Sequence, residues 1–155
     1  QQSKYLWVCL WTNVLLLPTK LMTALQSSMC ADASLAQCKA LWSNECVALS
    51  DAEVAAYPPL SLQLDAGVTL RMSSADYLLL GSPLATKASQ YCLGIRDGGR
   101  AGGSGFIIGD TTMRNYYLVF DLAQQRIGWG NVSATGCGSV GEGKIEEAAV
   151  VEASR

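Results

Sequence analysis

Two aspartates stand where side-chain chemistry is easiest to imagine. Asp110-Thr111-Thr112 and Asp32-Ala33-Ser34 each set a carboxylate beside hydroxyls. The chain has no histidine. That absence removes Ser-His-Asp and Cys-His machinery and the histidine-based zinc sites. Carboxylates, or a Ser-Lys pair, are left for acid-base work. Six cysteines in 155 residues favour an oxidising compartment. Cys30, Cys38 and Cys46 are evenly spaced, too far apart for a Cys-x-x-Cys metal site, so disulfides are their expected use. Asn131-Val132-Ser133 is a glycosylation sequon and leans the same way. Asp97 to Gly105 is rich in glycine. No Gly-Lys-Ser/Thr follows it and it leads into a strand, so a mobile surface loop is expected and not a phosphate cradle.

The elements that must position these groups centre on residues 105–130. Phe106-Ile107-Ile108 is a short apolar run stopped by Gly109, which predicts a buried strand ending at a close approach or sharp turn. Asp110 and Thr111 are expected to cap one or two helical turns reaching Arg114. Tyr116 to Asp121 is aromatic and β-branched, a strand. Leu122 to Gln125 is short enough for a hairpin, with Arg126 to Gly130 returning.

These residues resemble the C-terminal lobe of the pepsin-like aspartic proteases. The resemblance is carried in order and without gaps by Ile107-Ile108-Gly109-Asp110-Thr111, then Arg114-Asn115-Tyr116-Tyr117-Leu118-Val119-Phe120-Asp121, then Arg126-Ile127-Gly128-Trp129. Residues 57–94 fit more loosely, and residues 12–25 in part. The resemblance implies a mostly β fold with short helices, one lobe of a bilobal protease. It implies peptide hydrolysis by an aspartate-activated water, with no metal or organic cofactor. The implied partners are a peptide or protein substrate and a missing N-terminal lobe, which should dock on an exposed apolar face. Gly109 would be scaffold packed behind the catalytic loop. Ile107, Ile108, Asp110, Thr111, Arg114, Tyr116, Tyr117, Phe120 and Asp121 would be structural parts of the motif, and Asp110-Thr111-Thr112 lacks the glycine of a catalytic triplet. Asp32-Ala33-Ser34 lacks it too and falls in an expected helical stretch.

One departure decides the functional expectation. Thr12-Asn13-Val14-Leu15-Leu16-Leu17-Pro18 matches the run that follows the second Asp-Ser/Thr-Gly of the family, with a helix expected from Thr19 to Met29. Where the aspartate and glycine should lie, the chain reads Val8-Cys9-Leu10-Trp11, and no carboxylate occurs before Asp32. The chemistry takes two aspartates close enough to share a proton. No residue is therefore assigned a catalytic role, and the expected state of this chain is an inactive lobe or a non-catalytic peptide-binding module. Residues 1–17 read as a degraded or misread start, 18–135 as the lobe, and 136–155 as a flexible tail.

By resemblance to the β-secretase-like branch, Cys46 would pair with Cys92. Cys30 and Cys38 are expected to pair as well. Cys137 lies where that branch bridges to an upstream cysteine, leaving it either joined to Cys9 or unpaired. Between these, Leu60, Leu62 and Leu64 alternate with polar residues as a half-buried strand, Asp65-Ala66-Gly67 turns, and Val68 to Met72 returns. Tyr91 to Ile95 is expected as one strand, and Lys144 to Arg155 as a frayed helix or disordered tail.

A net charge of -2 with sparse charged residues gives no basic patch for nucleic acid. Residues 5–17 are apolar but too short and interrupted for a membrane span, and are expected as buried strands. Together with the cysteines, the resemblance places the protein in the secretory pathway, in an extracellular or endomembrane lumen.

Overall fold

The computed structural model describes residues 6–64, 67–99, 105–132 and 149–152. The turn at Asp65-Ala66, most of the glycine-rich loop, Ser133, Cys137 and the Gly136–Gly143 stretch lie outside the described residues.

Four strands distant in sequence form the central sheet. These are β1 (Leu6–Val8), β2 (Leu15–Leu17), β8 (Ile95–Asp97) and β9 (Phe106–Ile108), in the order β1-β9-β2-β8. β9 runs parallel to β1, Leu6 beside Phe106 and Val8 beside Ile108, and antiparallel to β2 at Leu16–Ile107. β2 is parallel to β8 from Leu15–Ile95 to Leu17–Asp97. A strand from about 100 residues later thus slides between two consecutive strands. Leu15, Leu17, Ile95 and Ile108 are buried on it, and apolar burial of this kind drives the pairing against its loop-closure cost.

The segment between builds a second sheet and a hairpin. β3 (Val47–Ala48), β7 (Gln90–Leu93) and β6 (Leu78–Leu80) pair antiparallel in the order β3-β7-β6. β4 (Leu60–Gln63) pairs with β5 (Thr69–Met72) from Leu60–Met72 to Gln63–Thr69. The expected single strand over Tyr91 to Ile95 is two, β7 and β8, broken at Gly94. There the chain changes sheets: the Gly94 N–H donates to Tyr77 O at 2.7 Å, and its carbonyl accepts from Leu15 N at 2.9 Å. A Cβ at Gly94 would lie 2.9 Å from Thr111 Cγ2, so the corner needs glycine.

Among the described residues, five short helices fill the gaps. α1 (Thr19–Met29) follows Pro18 and buries Met22 and Met29. The Cys30–Cys38 disulfide joins its end to α2 (Cys38–Trp42). Asp32-Ala33-Ser34 is a turn and not the expected helix, because Asp32 Oδ1 accepts from both Ser34 N and Ser34 Oγ. α3 (Asp51–Ala56) begins with a reciprocal cap between Ser50 and Glu53. In α4 (Ser74–Tyr77) the Asp76 carboxylate takes the Ser73 N–H at 2.6 Å. The buried hydroxyls are satisfied: Tyr57 donates to Ala36 O at 2.6 Å and Tyr77 to Pro58 O at 2.7 Å. Burial pushes the Tyr57 phenol up to about 12. Cys46–Cys92 ties the loop before β3 to β7.

The third sheet is β10 (Tyr116–Asp121), β11 (Arg126–Asn131) and β12 (Ala149–Glu152). The last corrects the expected helix or disordered tail at these positions. Ala149 to Glu152 pairs antiparallel with Trp129 back to Arg126, and β11 offers an edge there for a segment with the β-branched Val150 and Val151 at its centre. Among the described residues no helix is long and apolar enough to cross a membrane.

Two outcomes follow for urea unfolding. Replacing Cys46 and Cys92 together by serine should cost about 4 kcal/mol, the loop-closure term for a separation of 46 residues. Gly109→Ala should cost more than about 3 kcal/mol, because the added methyl meets fixed backbone. An unchanged midpoint for either variant would show the corresponding constraint to be absent.

Candidate functional site

The connection between β1 and β2, Cys9 to Val14, is held by backbone bonds from the Ile108–Thr111 segment. Cys9 N donates to Ile108 O at 3.0 Å. Asp110 N donates to Thr12 O at 2.8 Å and Thr111 N to Asn13 O at 3.0 Å. Thr111 Oγ1 adds a second bond to Asn13 O at 2.7 Å, and Thr111 is fully enclosed. These bonds correct the expected cap. The N-cap of α5 (Asp110–Met113) is Gly109, with no side-chain cap bond. The helix N–H groups that would need a cap are taken by the loop carbonyls instead. Gly109 permits the approach, since a Cβ there would overlap the carbonyl oxygens of Thr12 and Val14 and lie 2.9 Å from Thr12 C.

This frame presents the side chain at position 9. It is a thiol, half-buried, and no disulfide joins it among the described residues. Thr12 Oγ1 donates to Cys9 Sγ at 3.2 Å. That bond, and the Trp11 amide after it, hold the thiol below its ordinary value. Beyond it, Leu10 is 72% and Trp11 96% exposed. No carboxylate belongs to the loop. Asp110 is exposed in the first turn of α5, and its carboxylate makes no hydrogen bond among the described residues. Asp32 is exposed in its own turn, with its carboxyl held low by Ser34. A polarised thiol without a base can be alkylated or oxidised; it cannot share a proton with a second acid and hold water as a carboxylate does.

The other motif residues support the frame. Ile107 is half-buried and Ile108 fully buried in β9. Arg114 donates to the carbonyls of Ala75, at 3.1 Å, and Asp76, closing the end of α4. The Tyr116 hydroxyl accepts from Arg71 N and donates to Arg71 O, tying β10 to β5, and its ring meets Trp129 edge-on at 5.8 Å. Asp121 pairs with Arg126 at 2.9 Å across the hairpin, and this bond lowers its carboxyl. Tyr117, at 69% exposure, and Val119 lie on one face of β10. Their cross-strand partners are Gly130 and Gly128, which leave them uncovered. Phe120 and Leu122 are exposed nearby. Asn131 is exposed at the end of β11.

Two open concavities lie away from the loop. One, about 470 Å³, is walled by Arg71, Asp76, Arg114, Asn115, Tyr116 and Asn131. The other, about 550 Å³, is largely apolar, with Val54, Leu78, Leu79 and Tyr91 in its wall. Neither was legible in the sequence, because Arg71 and Tyr116 meet across a sequence separation of 45 with no local pattern to announce it. No group of three or more potential metal ligands occurs among the described residues.

A family model described as "Xylanase inhibitor C-terminal" matches residues 5–131. Among solved structures, the chain is similar to that titled "Crystal structure of Basic 7S globulin from soybean", with a TM-score of 0.57 and 20% identity. The match covers 80% of this chain and 31% of that one, so the chain spans under a third of that protein's length. The fold is that of a pepsin-like C-terminal lobe, mostly β with few short helices, as the 106–129 motifs implied.

The Cys9 thiol should react with iodoacetamide along a pH profile whose midpoint lies below that of a simple cysteine. Thr12→Val should move that midpoint up, since it removes the largest cause of the shift. Equal midpoints in the two proteins would contradict the bond.

Proposed function

We propose that this chain, which belongs to the xylanase inhibitor C-terminal family, is a lobe of pepsin-like descent that holds an extended peptide or protein segment without cutting it. The observation that carries this reading is Cys9. The clamped loop over Gly109 delivers a thiol where hydrolysis of this type needs an acid. Loss of an essential acid-base group removes about 10² to 10⁴-fold of rate by itself, and the shared proton of a carboxylate pair has no counterpart here. The family's description as an inhibitor points the same way, toward binding as the retained use of the fold.

The partner for the rest of the fold is a second lobe. The uncovered apolar face of Tyr117 and Val119 is the surface offered to it. An extended segment held between lobes would be bound through backbone hydrogen bonds. The Cys30–Cys38 and Cys46–Cys92 bonds fit an oxidising environment, and we assign the protein to the secretory pathway. Asp110 has a structural role, and no residue of the chain is catalytic.

The test uses the protein in the form its cell makes, with labelled unfolded casein at about pH 3 to 5, the working range of a carboxylate pair. Casein should be retained and recovered intact, with pepstatin making no difference to its integrity. Pepstatin-sensitive fragmentation would overturn the reading, and its loss in Asp110→Asn, with the fold kept, would identify Asp110 as an acid.

A further inference from the structure

The sequon at Asn131 and the concavity beside it share a wall. Asn131 ends β11 exposed to solvent, opposite Tyr116 in the strand register. Residues directly opposite in an antiparallel pair share a face, so the Asn131 amide and the Tyr116 ring lie side by side. Both line the concavity of about 470 Å³. The Tyr116 hydroxyl is spent on the backbone of Arg71, which fixes the ring as a platform. The rest of the wall is rich in donors. Arg71 contributes a guanidinium not paired with a carboxylate among the described residues, and Arg114 one whose Nη2 is held by the carbonyls of Ala75 and Asp76. The one carboxylate there, Asp76, is occupied by Ser73 N and Ser73 Oγ. Asn115 has an enclosed amide nitrogen with no partner, a group that calls for an acceptor.

We propose that Asn131 carries an N-linked glycan whose first sugar seats in this concavity. A sugar matches the wall: an apolar ring face for Tyr116 and hydroxyl and carbonyl oxygens for the arginine and amide donors. The attachment forms a bond from Asn131 Nδ2 to the anomeric carbon of an N-acetylhexosamine. The bond from that carbon to the diphosphate of a lipid-linked donor breaks, the lipid diphosphate leaves, and the amide gives up one proton. The inference rests on the secretory assignment above, because that is where such donors meet exposed sequons.

The protein is isolated from its own cells, digested without reduction, and the peptide holding Asn131 is weighed before and after an amide-cleaving glycosidase. The expected result is a hexosamine-based adduct that the enzyme removes, converting Asn131 to aspartate, and that Ser133→Ala abolishes. Unmodified Asn131 in protein with both disulfides intact would overturn the glycan and leave the compartment standing. Unmodified Asn131 in protein with free thiols throughout would overturn both. The seat is read by melting. Trimming to a single sugar should leave Tm unchanged, and the unglycosylated Ser133→Ala protein, which keeps the Asn131 amide, should melt lower by about 2 to 4 °C. An equal Tm with and without the first sugar would overturn the seat, whatever the occupancy.

Discussion

The grip of Ile108–Thr111 on the loop from Cys9 to Val14 is the constraint on which the rest depends. Four hydrogen bonds converge on three loop residues, and glycine at 109 lets the two backbones meet. Each such bond contributes about 1 kcal/mol net, but their larger effect is geometric. They fix where β1 ends and β2 begins, and so set the register of the central sheet. They also satisfy the start of α5, whose far end places Arg114 against α4 and Tyr116 against β5. The β-region between residues 47 and 93 is thereby joined to the central sheet at one corner, Gly94, which packs on Thr111 of the same grip.

The frame does not depend on the side chain it presents. The bonds that shape the loop use backbone atoms and Thr111, none of which depends on the side chain at position 9. A carboxylate could be exchanged for a thiol there without loosening the clamp, and Thr12 then supplies the thiol with a hydrogen bond. Gly109, by contrast, is not exchangeable, because the space for a side chain is filled by loop carbonyls. The residues that hold the loop and the side chain that the loop presents are separable, since the bonds fix the backbone and leave the position 9 side chain outside the clamp.

How much the sequence disclosed follows from how local each feature is. The strand, glycine, helix and hairpin from Phe106 to Asn131 were legible because their signals sit within a few residues of one another. The α1 span was legible from the Thr12–Pro18 run, whose resemblance to the family's implied a helix after it. The break at Gly94 was hidden, since a glycine inside an apolar run says nothing about which sheet comes next. β12 was hidden because its alanine and valine pattern suits a helix as well as a strand, and the free edge of β11 decides the matter. The cap of α5 was misjudged for a similar reason. Asp110 and Thr111 are good capping residues, but carbonyls from about 100 residues earlier reach the helix first. The polar concavity has no local signature, its walls coming from β5, α4, the turn before β10 and the end of β11.

A working carboxylate pair has a titration signature that a single polarised thiol lacks: one of its acids stays protonated well above the ordinary range. Every described Asp or Glu with a resolved shift moves the other way, held low by hydrogen bonds, as at Asp32, Glu53, Asp97 and Asp121. Carbon-detected NMR titration of the side-chain carboxyls in the intact protein therefore tests the account most directly. It predicts that the carboxyls of Asp32, Glu53, Asp97 and Asp121 titrate below the usual carboxylate range. A carboxyl beside the Cys9–Val14 loop that holds its proton well above that range would contradict it.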